Sequence, residues 1–205
     1  MKKEKTISNG KLEKKSQSII PKSDFNNVLD NLLIFKSQKE LEKTFGIENI
    51  KTETTGNIDS ESENYYTVLF PNTKNEILFF WKNEKELKIL DFIKISEKNV
   101  RWLTKDDLRI GLRLKDLEKI NKKTFTFYNF ESELLSGKID WDNGFLSNRN
   151  VSGKLSPPKF EDPHYSTQLD KASFEGFSKL KKIHNSSRFL TSYDIYLSEI
   201  KVWNK

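Results

Sequence analysis

The apolar pattern of this 205-residue chain points to an α+β protein, in which antiparallel sheet carries a few short packed helices. Three observations lead there. The middle of the chain holds short runs rich in Phe, Tyr, Trp, Ile and Val, separated by turn-forming clusters of Pro, Asn and Gly. Two other short stretches repeat their apolar residues at helical spacing behind a capping signal or a turn. The apolar share is only 35%, but fifteen Phe, six Tyr and four Trp against a single Ala make it a share of large side chains. Such a set closes a core even where 32% of residues are charged.

The elements follow in chain order. Residues 24–35 put Phe25, Val28, Leu29, Leu32 and Leu33 on one helical stripe with Ser23 or Asp24 as cap, although residues 32–35 read equally as a short strand. Ser37 and Glu40 have capping-box spacing, Leu41 and Phe45 share a face, and Gly46 supplies the stop, so a short helix is expected there. Residues 51–64 are polar and read as a mobile excursion between strands. Residues 65–70 and 76–82 read as strands flanking the turn-forming residues 71–75, and 87–96 as a third. Within 76–82, Ile77, Phe79 and Trp81 point one way and Leu78 and Phe80 the other, which predicts a central strand covered on both sides. The segment 100–104 carries Trp102, and Lys105, Asp106 and Asp107 turn the chain. A second short helix should bury Leu114, Leu117 and Ile120 and end near Asn121. Strands are expected over 124–130 and 136–141, then a type I′ turn at Asn143-Gly144 with 145–148 as the return strand. Pro157, Pro158 and Pro163 break the chain into loop, and 168–183 has a helical pattern. Residues 195–203 close the fold as a strand whose apolar parity switches between Leu197 and Ile200, as a bulge would make it.

The five residues from Lys39 to Lys43 recur, with Asp116 for Glu40, from Lys115 to Lys119. That echo raises the prospect of two tandem helix-plus-sheet halves, 24–98 and 99–205, within one α+β domain spanning 24–205.

The charge is unevenly spread. Of 36 basic and 30 acidic residues, the first 23 positions hold seven Lys and two Glu, leaving 29 basic against 28 acidic groups elsewhere. Residues 1–23 therefore read as a flexible basic tether, and the rest is close to neutral. Only five of the basic residues are Arg, the side chain suited to phosphate and base edges. Nucleic acid is not an expected partner. No apolar run reaches the length of a membrane span. A polar tether before a compact domain is how a processed bacterial lipoprotein begins, and Met1 would then stand where the lipidated Cys belongs. Without an upstream signal, the same sequence reads as cytoplasmic.

Much chemistry is excluded. The chain has no Cys and only two His, His164 and His184, so disulfides, thiolate sites and multi-histidine metal centres are out. Glu161, Asp162 and His164 give too few ligands for a metal, and Asp59, Glu61 and Glu63 lack the Gly and Glu of a calcium loop. There is no nucleophile elbow and no phosphate-cradling glycine loop. No catalytic residue, metal ligand or cofactor is assigned.

One run of motifs is similar to a known pattern. Trp102 and Thr104, then Leu108, Ile110 and Gly111, Leu114 and Leu117, Ile120-Asn121, Phe125 and Phe127, Phe130, Trp141-Asp142 with Gly144, and Gly153 with Leu155 occur in this order. The run resembles an uncharacterised family of exported bacterial proteins, including lipoproteins, with the pattern W-x-T, G-[IL]-x-[IL]-G, L-x-E-L and W-D-x-G. Lys122 and Asn129 stand where that family has Gly, Asn143 where it has Tyr, and 131–140 is an insertion. The stretch from Ile110 through Leu117 is also similar to the helix entry of the small lipoprotein of the outer-membrane barrel assembly machine and of β-lactamase-inhibitor-like domains. The resemblance implies an envelope location, periplasmic or surface-exposed, with membrane contact only through a lipid anchor upstream of residue 2. It implies no activity and transfers no functional residue.

The expected function is thus a non-enzymatic envelope domain that works through contact with a protein partner. An alternative is a glycan- or peptide-binding module using aromatic residues of the sheet, with Trp102, Trp141, Asp142 and Arg109 as the candidate surface. A hydrolase would need two convergent carboxylates, which the sequence does not nominate.

Overall fold

A computed structural model describes residues 25–55, 64–97, 99, 101–157, 176 and 179–204. It has the α+β architecture, with two antiparallel sheets. Strands β1 (Ile50–Thr54), β2 (Tyr65–Leu69), β3 (Ile77–Asn83), β4 (Lys88–Ser96), β7 (Val151–Leu155) and β9 (Leu197–Trp203) form a six-stranded sheet in the order β1-β2-β3-β4-β9-β7. A smaller sheet sets β5 (Thr126–Tyr128) between β6 (Ile139–Asp140) and β8 (Lys182–His184). The sheets are stitched together where Lys138 pairs with Lys154 and the Leu155 N–H donates to the Gly137 carbonyl at 2.8 Å.

One face of the large sheet is the floor of the core. Cross-strand neighbours Thr67, Phe79, Ile93, Val202 and Val151 form a continuous buried row. Helix α1 (Gln38–Phe45) starts at Ser37, whose hydroxyl accepts the Glu40 N–H, and stops at Gly46 with φ +88°. It buries Leu41 and Phe45. Gln38 closes a buried relay, because the Trp81 indole donates to the Thr67 hydroxyl at 2.9 Å and that hydroxyl donates to the Gln38 amide oxygen at 2.6 Å. Helix α2 (Leu114–Asn121) buries Leu114, Leu117 and Asn121, while Ile120 is only half-buried. The Lys39–Lys43 and Lys115–Lys119 echo falls on the same positions of the two helices, but both halves of the chain build one sheet, since β7 and β9 complete the sheet that β1–β4 begin.

Several expectations are corrected. Residues 24–35 do not form an α-helix: Leu29–Ile34 is a 3₁₀ helix, burying Leu29 and Leu32, and its N-cap is Val28. Ser23 and Asp24 lie outside the described residues. The polar run 51–64 begins as strand β1, an edge strand held by pairing to β2, and 56–63 lies outside the described residues. Strands expected over 124–130 and 136–141 shorten to β5 and β6. The tight turn is centred one residue early, on Asp142 (φ 48°) and Asn143 (φ 58°), with the Gly144 N–H donating to the Trp141 carbonyl at 2.9 Å. No return strand follows it: Phe145–Asn148 is a 3₁₀ helix. The cause is Asn121, whose amide donates to the Trp141 and Lys123 carbonyls and accepts the Leu146 N–H. That clamp draws the chain onto α2, and a Cβ on Gly144 would sit 2.2 Å from the Asn121 amide nitrogen. The helical reading of 168–183 gives way at its end to strand β8; residues 168–175, 177 and 178, like 1–23 and the 161–164 cluster, are outside the described part.

The bulge expected in the closing strand is present. Lys154 faces Glu199 and Leu155 faces Leu197, so Ser198 is the extra residue, and its hydroxyl donates to the Lys154 carbonyl at 3.0 Å.

Candidate functional site

Strand β3 is central but not covered on both sides. On its outer side Phe80 lies in a row with Tyr66, Phe92 and Trp203, cross-strand partners on β2, β4 and β9, and all four are half-buried. Tyr66 and Phe80 stack at 5.1 Å and 14°, and Phe80 and Phe92 at 4.4 Å and 16°. Rings so close and so nearly parallel cover each other's faces and turn their edges to solvent. Lys94 and Lys201 add ammonium groups over Phe80 and Phe92. Burial and the neighbouring Glu53 and Glu76 raise the Tyr66 phenol, which keeps it neutral at physiological pH. Trp203 is different: among the described residues no other ring lies against it.

Trp203 sits where two grooves join. The first, about 730 Å³, runs over the outer side of β4, β9 and β7 beneath the lip formed by Leu134, Leu135 and Ser136. Its charged residues, among those described, are Lys82, Lys138, Lys154 and Lys201 against Asp91 and Glu199. Glu199 is shared by Lys94 at 3.6 Å and Lys201 at 3.8 Å. Lys82, Lys138 and Lys154 have no carboxylate partner among the described residues. Leu134, on the lip, is 93% exposed. The second groove, about 660 Å³, continues past Trp203 and Lys138 along Tyr128, Asp140, Trp141, Asp142, Asn143 and Ser147.

The residues nominated from sequence do not gather into this surface. Trp102 and Trp141 are core residues, only 4% and 5% exposed, so the stacking face expected of them is absent. Trp102 is held by Asn99, whose side-chain oxygen accepts the backbone N–H groups of Arg101 and Trp102. Trp141 packs edge-on against Phe125 and lies close above Gly153, although its rim contributes to the second groove. Each indole N–H is buried without an acceptor among the described residues. Arg109 is exposed in a bridge to Leu103, and no contact joins it to Asp142. Asp142 does reach the second groove, where its carboxylate accepts the Thr126 hydroxyl at 3.3 Å. The missed residue is Trp203. Its signal was parity: Trp203 alternates in step with the charged Glu199 and Lys201, and out of step with Ile200 and Val202, which puts it on the solvent side.

Among the described residues, Asp140 and Asp142 are the two carboxylates that share the second groove. The Lys182 ammonium, 2.5 Å from Asp140, and the Asp142 N–H hold the Asp140 carboxyl below the usual carboxylate range. A general acid for glycoside cleavage needs the opposite shift. Among the described residues no three His, Asp or Glu side chains converge as a metal site would require, and no helix is long and apolar enough to cross a membrane.

Neither a family model, nor a curated protein, nor a solved structure matches the chain.

Proposed function

We propose that this protein is a non-enzymatic binding module of the bacterial cell envelope, and that its working surface is the double groove on the outer side of the six-stranded sheet. The observation that carries the reading is Trp203, a half-buried indole with no ring against it among the described residues, at the junction of two grooves that also hold lysines without carboxylate partners among those residues. Concave surfaces with one aromatic platform and a few polar groups are the usual form of ligand sites. The envelope location rests on the resemblance described above and on the basic segment 1–23, which suits a tether behind a lipid anchor. The test is a thermal-shift screen of neutral and charged oligosaccharides and peptides against wild type and Trp203→Ala. We expect at least one ligand to raise Tm in wild type and not in the variant. A ligand that stabilises both proteins equally refutes the groove as the site.

Contact with a protein partner has its own support. Ile34 and Ile89 are 64% and 60% exposed, and the Ile89 N–H donates to the Lys36 carbonyl at 2.8 Å, which brings the segment after Ile34 against the start of β4. Exposed apolar side chains that neighbour one another, unlike ones scattered singly, mark protein contacts.

A further inference from the structure

We infer that the ligand of the double groove is an anionic saccharide chain, its acidic groups met by Lys82, Lys138, Lys154 and Lys201 and one sugar ring lying on Trp203. The inference rests on the binding reading above and names its substrate class. Charge supplies the first argument. Among the described residues the first groove carries four lysines against two carboxylates, and one of those, Glu199, is already engaged by Lys94 and Lys201. Lysines clustered in a concave site without acidic partners raise the local concentration of polyanions. All four are Lys and no Arg lines the groove, so the surface offers separate point charges and not the planar fork that grips a single phosphate.

The kind of polyanion follows from what the groove lacks. An extended acidic peptide would gain most of its affinity by adding a strand to a sheet edge. The β7 edge along this groove is already engaged at its Lys154–Leu155 end, by the Lys138–Lys154 pairing and by the Leu155 N–H to the Gly137 carbonyl, which leaves only the short Val151–Ser152 stretch for an added strand. A peptide lying along the rest of the groove would leave most of its own backbone groups without a ladder. Single-stranded nucleic acid stacks successive bases on several open ring faces. Here Tyr66, Phe80 and Phe92 cover one another, and among the described residues Trp203 is the member of the row without a ring neighbour. One open indole, with Asp142, Asn143, Ser147 and Ser152 nearby as hydrogen-bonding groups, suits a sugar ring and its hydroxyls. The two grooves share Leu135, Lys138, Ser152 and Trp203, so they run as one channel longer than a single sugar.

The experiment is titration calorimetry of the full chain with oligogalacturonate, its methyl ester, a heparin oligosaccharide, poly-glutamate and oligo-dT, each at low and high salt. We expect one or both acidic saccharides to bind, the affinity to fall steeply with salt, and methyl-esterified oligogalacturonate to bind at least about tenfold more weakly than the acid if oligogalacturonate is the binder. Lys138→Gln with Lys154→Gln, at exposed side chains with no ion pair among the described residues and therefore mild for folding, should weaken binding about three- to tenfold. Trp203→Phe should retain more affinity than Trp203→Ala. Equal binding of the methyl ester would sink the charge inference but leave the binding module standing. Tighter binding of poly-glutamate or oligo-dT, or no heat with either acidic saccharide, would overturn the inference outright.

Discussion

On the inner side of the six-stranded sheet, Phe79 lies in a row with Thr67, Ile93 and Val202; one residue along, Phe80 lies on the outer side in a row with Tyr66, Phe92 and Trp203. The first row is fully buried and the second half-buried. Both contain aromatic side chains of the same strand, but they are satisfied differently. Inner-face residues are covered by helices and by the chain beyond them. Outer-face rings are covered largely by each other, at stacking distances set by the spacing of the strands themselves. A sheet face that shields itself in this way can stay open to a ligand without presenting a broad greasy surface.

The sharpest way to break the comparison is to remove one ring from each side. Phe79→Ala empties a site with no solvent access and should cost about 3–5 kcal/mol, enough to unfold a protein of ordinary stability in part. Phe80→Ala removes a half-buried ring and two cross-strand stacks, and about 1–2 kcal/mol is expected. Urea unfolding measures both. Equal losses would mean that the outer face is core in all but name, and that no surface there is free to bind.

A second break lies at the corner between α2 and the small sheet. Gly144→Ala would drive a methyl group into Asn121, whose buried amide makes three hydrogen bonds. Displacing that amide leaves the Lys123 carbonyl and the Leu146 N–H without partners and the Trp141 carbonyl with only the Gly144 N–H, and about 2–4 kcal/mol should be lost. Asn121→Ala should cost a similar amount. The double variant should cost much less than the sum, because the methyl then enters space the amide has vacated. Additive losses in urea unfolding would show that Gly144 serves something other than the approach of Asn121.

The inner face was legible from the sequence because its signal is periodic: Ile77, Phe79 and Trp81 alternate, and Ile200 and Val202 follow the same rule once Ser198 is recognised as a bulge. Helix α1 was legible because its cap and stop are local. What escaped were features fixed by distant partners. The 145–148 strand failed because Asn121, more than twenty residues earlier in the chain, captures the Leu146 N–H. Strand β1 was missed because a polar edge strand is defined by its neighbour and not by its own hydropathy. The candidate site was misassigned for a related reason. Trp102 and Trp141 neighbour charged residues in sequence, and that says little about depth, whereas the parity shared by Trp203 with Glu199 and Lys201 reports directly on the face it occupies.

Charge is the smallest difference between the two sides, and the one that pH can probe. Ion pairs sit on the outer face and in the groove wall, among them Lys94–Glu199, Lys201–Glu199 and Asp140–Lys182, and none lies in the buried inner row. Because Lys182 holds the Asp140 carboxyl below its ordinary value, the pair's contribution is fully present above the ordinary carboxylate range and is lost as pH falls through the depressed folded value. The Lys182 ammonium is raised in turn, so its share is lost only as pH rises through that raised value at the alkaline end. Asp140→Asn should therefore lower stability at neutral pH by less than about 1 kcal/mol, since the pair is open to solvent. The difference from wild type should shrink to nothing once the medium is more acid than the folded Asp140 carboxyl, and it should diminish in salt. The loss caused by Phe79→Ala should not follow that pattern. If unfolding titrations find the Asp140→Asn difference unchanged from neutral pH into acid, the carboxylate acts through hydrogen bonding that survives protonation, and Lys182 is not what holds this wall of the groove.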